Sequence, residues 1–164
     1  MEKGINAYIL DKFGIEMKDI RSYSPLTLAY IGDGIYDLII RSMVVGGGNT
    51  HVNDLHRHTS QIVKAHAQSE MIGALMEDLN EEELAVYRRG RNAKSATVAK
   101  NATVGDYRRA TGFEALMGYL YLENKMERMM ELILKGLERT GHGIKETQGI
   151  SGKGVQCALR GVDD

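Results

Sequence analysis

Two carboxylates stand out because each is set among small and apolar residues. Asp33 lies in Leu28-Ala29-Tyr30-Ile31-Gly32-Asp33-Gly34-Ile35-Tyr36-Asp37-Leu38, and Glu114 lies in Ala110-Thr111-Gly112-Phe113-Glu114-Ala115-Leu116-Met117-Gly118-Tyr119-Leu120. A buried carboxylate is costly unless it is paired, hydrogen-bonded or bound to a metal. Two of them on facing helices repel at close range and so invite a divalent cation. Oxygen-only donors favour magnesium, with manganese able to substitute, over zinc. Interior glycines each cost a helix roughly 1 kcal/mol against alanine, so Gly32 and Gly34 around Asp33 point to a close approach of another backbone. On patterning alone, each acid also reads as a buried cap or hydrogen-bond acceptor.

A second constellation is cationic. Between Arg88 and Arg109 stand Arg88, Arg89, Arg91, Lys94, Lys100, Arg108 and Arg109 against the lone acid Asp106, in a chain whose net charge is -1. That local imbalance marks a polyanion-facing surface, the competing reading being a solvated helix end. His51, His56, His58 and His66 do not make a metal site. At about 100° per residue, 56, 58 and 66 scatter around a helix, and there is no HExxH or cysteine partner. Lys153 in Gly152-Lys153-Gly154 lacks the spacing and context of a phosphate loop.

The elements that must position these residues are helices. Ser24 and Pro25 start one that runs to about residue 45 and stops at Gly46-Gly47-Gly48. Asn49 or Thr50 begins a short helix through Arg57, and Thr59 or Ser60 begins a longer one to about Glu77. Asn80 before Glu81-Glu82-Glu83 opens the next, which reaches about Gly90. A loop over 91–103 leads to an apolar helix from Val104 to about Glu123, and a last helix runs from Lys125 to about Arg139. Residues 1–23 read as a packing arm with a short amphipathic piece (Ile5, Tyr8, Ile9, Phe13). Residues 140–164 read as a flexible glycine-rich tail. No stretch shows strand alternation, so the fold class is all-α.

Bulk numbers agree with a folded chain of one domain: 164 residues, 43% apolar, one cysteine and one proline. No window approaches the roughly 18 apolar residues of a membrane span. The lone Cys157 and the absence of a signal-like start point to a reducing cytoplasm, with no membrane partner.

Several of these segments together resemble a known family. Tyr30-Ile31-Gly32-Asp33 with Phe113-Glu114-Ala115-Leu116-Met117-Gly118-Tyr119-Leu120-Tyr121-Leu122 is similar to the two signature segments of the ribonuclease III endonuclease domain. Arg88-Arg89-Gly90-Arg91-Asn92-Ala93-Lys94-Ser95 and Asn53-Asp54-Leu55-His56 resemble its Mini-III branch, a catalytic domain without the double-stranded-RNA-binding domain. The resemblance covers residues 24–139. It implies an all-helical homodimer that hydrolyses both strands of double-stranded RNA with magnesium, leaving 5′ phosphate and 3′ hydroxyl ends. Its substrate would be a precursor of large-subunit (23S) ribosomal RNA, and a ribosomal protein on that precursor would be a further partner.

Carried over by motif, Asp33 and Glu114 are the catalytic metal ligands, Asp54 assists through water, and Arg88, Arg89, Arg91, Asn92, Lys94 and Ser95 bind RNA. The classical pattern has further acids where this chain has Ala29 and Thr111, so the site shrinks to two carboxylates plus neighbours. Asp37 reads as a core-edge charge or dimer contact. Tyr30, Tyr36, Tyr119 and Tyr121 read as packing, with the dimer seam as their other role. Two rival readings stand beside this one: a non-catalytic or weakly catalytic helical RNA-binding or ribosome-assembly protein, and a magnesium-dependent all-α phosphohydrolase acting on a nucleotide.

Overall fold

A computed structural model describes residues 4–94 and 103–143. Ser95, most of the basic loop and the glycine-rich tail from residue 144 lie outside the described residues. Among those described there is no strand. The α-helices are α1 (Ile5–Lys12), α2 (Pro25–Gly46), α3 (Val52–Val63), α4 (Ala65–Leu75), α5 (Glu81–Asn92), α6 (Val104–Leu122) and α7 (Met126–Arg139), with short 3-10 turns at Ile20–Ser22 and Met76–Asp78.

Local chemistry sets most of the boundaries. Ser24 accepts a hydrogen bond from the Thr27 amide at 3.2 Å, and Pro25 occupies the first turn of α2, where a missing N–H costs nothing. The helix ends in the triple glycine, where Gly48 takes a φ of 109°. Asn80 and Glu83 form a reciprocal capping box at the start of α5, with bonds of 2.8 and 3.0 Å. Thr103 caps α6 through the Asp106 amide at 3.0 Å. One boundary differs from the sequence expectation: the break between α3 and α4 falls at Lys64 instead of near Thr59. Thr59 and Ile62 are both buried in the core-facing stripe of α3, so packing carries the helix past the residues whose side chains would have capped a new one.

The architecture is organised around α6. From Ala110 to Tyr121 every residue except Glu114 is buried, as expected of a helix that is apolar on all sides. It packs against α2, α4, α5 and α7. Tyr36 of α2 meets Phe113 of α6 edge to face, ring centres 5.0 Å apart. Core residues from α4 and α7, among them Met71, Ile72, Leu75, Met129 and Leu132, are fully covered. Arg128 of α7 closes the side of the bundle. It donates to both carboxylate oxygens of the buried Glu83 and to the Asp78 carbonyl at 2.6 Å. No residue of α1 is buried, and the arm meets the core at Ile20 and Tyr23. No helix among the described residues is long and apolar enough to cross a membrane.

Candidate active site

The approach of α2 to α6 is set by glycine. A Cβ on Gly32 would fall 1.7 Å from the Glu114 carbonyl oxygen, and one on Gly118 would fall 2.0 Å from that of Leu28. The two backbones therefore touch, and the residues at the contact, Asp33 and Glu114, are brought near enough for each carboxyl to act on the other. Gly34 plays no such part: a Cβ there would meet nothing within 4 Å, because it points away from α6.

Glu114 is half-buried and Asp33 lies on the open side of the junction. Burial, and then the neighbouring Asp33 charge, push the Glu114 carboxyl up to about 7, while hydrogen bonding from the Gln68 carboxamide favours its charged form. The Asp33 carboxyl is raised as well, by burial and by the Asp37 charge one turn on, with the hydrogen bond to Glu114 acting in the opposite direction. Both shifts act in the same sense, against charging the two acids together. A strongly raised acid in contact with a second acid is the electrostatic pattern of a functional site.

The remaining candidates divide between the site and its surroundings. Asp37 makes an i,i+4 ion pair with Arg41 at 2.7 Å, so it acts on Asp33 by its charge from the helix surface. Asp54 pairs with Arg57 at 2.5 Å within α3. Ala29 is buried, and Thr111 is buried with its hydroxyl donating to the Tyr107 carbonyl at 2.9 Å, so neither replaces a missing acid. Among the described residues no group of three or more His, Cys, Asp and Glu side chains is placed to hold a metal ion. His51, His56, His58 and His66 are all exposed.

The cationic residues sit at the end of α5. Gly90 lets that end lie against α6: a Cβ there would come 2.8 Å from the Ala115 Cβ and 2.9 Å from the Gly112 Cα. The basic terminus thus packs on the same turns of α6 that carry Glu114. Arg88, Arg89, Asn92 and Lys94 are exposed. Arg91 lies over the Tyr87 ring at 5.7 Å and bonds Asn92 at 3.3 Å, which orders its guanidinium.

Gln68 is the residue that sequence reasoning missed. It is 1% exposed, donates through Nε2 to the Val63 carbonyl at 2.9 Å, and leaves Oε1 without a partner. The signal was in its spacing, since 68, 71, 72 and 75 follow the i, i+3, i+4, i+7 pattern of a core stripe.

A divalent cation fits this donor set. Magnesium takes oxygen ligands, keeps several waters, and is commonly held by one or two carboxylates together with substrate phosphates. Asp33 and Glu114 provide two carboxylates at one junction, one of them open to solvent.

Comparison with known proteins agrees with the geometry. The Ribonuclease III domain model matches residues 26–125. The Mini-ribonuclease 3 of Clostridium tetani is 47% identical over 136 residues, covering 80% of this chain and 90% of that protein. The Mini-ribonuclease 3 of Enterococcus faecalis is 49% identical over 127 residues, covering 76% and 96%. A crystal structure of a protein from Fusobacterium nucleatum matches with a TM-score of 0.66 at 35% identity, covering 71% of this chain and 94% of that one. With the domain match spanning the crossing of α2 and α6 and these relatives covering most of both chains, the chain belongs to the ribonuclease III family, in its Mini-ribonuclease 3 branch, and is an endoribonuclease.

Proposed function

We propose that this chain is a magnesium-dependent homodimer that cuts both strands of double-stranded RNA, leaving 5′ phosphate and 3′ hydroxyl ends, in the maturation of large-subunit ribosomal RNA in the cytoplasm. The observation that carries the reading is the Asp33–Glu114 pair, two acids placed together by the backbone contact of Gly32 with Glu114, each raised by burial and Glu114 also by the charge of Asp33. When bound, the cation supplies Lewis-acid chemistry, activating water and offsetting charge that develops on a phosphate.

The chain's own residues do the rest. Asp33, on the open side, and Glu114, behind it, would hold the cation, with Glu114 in its ionised form. The backbone contact at Gly32 fixes the distance between the two carboxylates, so the site is formed before substrate arrives. Arg88, Arg89, Arg91 and Lys94, with Asn92 and Ser95 as neutral donors, pair with phosphates of the duplex. Proteins read A-form RNA largely through its backbone and shape. Asp54 assists by way of water.

The uncovered face of α2 supports the dimer. Leu26, Tyr30, Leu38 and Val45 lie along one side of the helix and are 39%, 82%, 49% and 61% exposed, far more than an isolated chain needs to show water. Asp33 lies at the edge of that face, so a second copy on it would set two sites near each other, one for each strand.

Cleavage of a labelled RNA duplex with and without magnesium tests the proposal, comparing the native chain with Asp33→Asn and Glu114→Gln. Loss of cutting in either variant, with dimerisation and duplex binding retained, is the expected result. A native chain that binds duplex and never cuts it would replace this reading with the RNA-binding or ribosome-assembly one.

A further inference from the structure

The buried carboxamide of Gln68 sits where α4 meets α6, and three observations single it out. It is 1% exposed on a helix whose other polar side chains mostly face water. Its Nε2 is fixed by a 2.9 Å bond to the carbonyl of Val63, the last residue of α3, and the same carboxamide stands near enough to Glu114 to favour the charged form of that carboxyl. Its Oε1 has no protein partner, although leaving a buried carbonyl unmatched costs about 1–3 kcal/mol.

Filling the gap between α3 and α4 does not require this arrangement. Methionine would fill a similar volume without an orphaned acceptor, and one N–H would suffice for Val63. The second N–H and the free oxygen are explained together if they serve the acid pair. We propose that Gln68 is a positioning residue for the Asp33–Glu114 site. Nε2, braced on Val63, orients the Glu114 carboxylate toward Asp33, and Oε1 accepts a hydrogen from a water at the same junction. Gln68 thus supplies the polar support that Ala29 and Thr111 do not. Partners of this kind behind a metal-holding carboxylate typically change metal affinity or activity by about 10- to 100-fold.

This inference rests on the two-acid cation reading above, and the test separates the two. Manganese alone is titrated into the native chain and into Gln68→Met and Gln68→Leu, with binding read by electron paramagnetic resonance. Thermal unfolding of the metal-free proteins and duplex cleavage across a manganese series run in parallel. In the variants the manganese Kd should rise by about 10- to 100-fold, cleavage at saturating manganese should return most of the way to the native rate, and melting should stay near native. Manganese affinity equal to native in either folded variant overturns the inference and leaves Gln68 as a brace between α3 and α4. A native chain that binds no manganese removes the cation reading and this inference with it.

Discussion

Gly32 of α2 lies against the backbone of Glu114 so closely that a Cβ would stand 1.7 Å from its carbonyl oxygen. The residue that fixes the crossing of the two helices is thus the immediate neighbour of one site acid and touches the other. Fold and site share one point of contact.

Gly32→Ala should therefore cost about 3 kcal/mol or more, above the usual range for overpacking because the obstacle is backbone and not a movable side chain. Duplex cleavage should fall in proportion to the displacement of the acid pair. Gly34→Ala is the control. It meets nothing within the chain and should stabilise by up to about 1 kcal/mol through helix propensity. Urea titrations of both variants check the opposite signs, and a destabilised Gly34→Ala would reveal another surface packed on it.

The raised carboxyl of Glu114 gives a pH signature. A folded-state value of about 7 against 4.5 for an ordinary glutamate means that the folded chain holds a proton the unfolded chain has released. Its contribution is complete below 4.5 and disappears as pH rises through 7. The metal-free protein should lose about 1–3 kcal/mol across that window from this group. Glu114→Gln should flatten this part of the profile. Because cation binding needs the ionised pair, the rise in Tm on adding magnesium should be larger at about pH 8 than at about pH 5.5. An equal rise at both would contradict the coupling.

Glu83 and Arg128 form a structural clamp remote from the chemistry. Burial works against the charge of Glu83, but the Arg128 guanidinium and the Asn80 amide outweigh it and hold the carboxyl below its usual range. Glu83→Ala leaves the half-covered Arg128 with only Glu131 and the Asp78 carbonyl and removes the capping box of α5, which together should cost about 1–3 kcal/mol. Chemical denaturation should show that destabilisation, while the manganese affinity of the folded fraction stays native.

Arg88 and Arg89 project into solvent near the end of α5, so the fold does not depend on burying them. Replacing each with glutamine should leave the melting temperature within about a degree. For each phosphate that such a replacement leaves unpaired, the slope of log binding constant against log salt should shrink by about 1. Filter binding of an RNA duplex over a salt series reads this directly. An unchanged slope would place the arginines off the duplex.

The helices and most of their caps were legible from the chain alone, and so was the unusual setting of Asp33 and Glu114. Ser24-Pro25, Asn80 with Glu83, and the triple glycine act through neighbours a few residues away, so local sequence encodes them. Asp33 and Glu114 were visible because an acid inside an apolar helix is anomalous whatever it packs against, and Gly32 announced a close approach without naming its partner. Only the tertiary structure decided that Gly32 meets Glu114 while Gly34 meets nothing. It also decided that α3 runs on to Val63, that Tyr36 is buried while Tyr30 is open, and that Gln68 turns inward to the carbonyl of Val63. The physical reason is that adjacent residues on a helix point about 100° apart, so near-identical local signals face different neighbours. What each side chain touches depends on helices brought together across dozens of residues, and no local pattern carries that information.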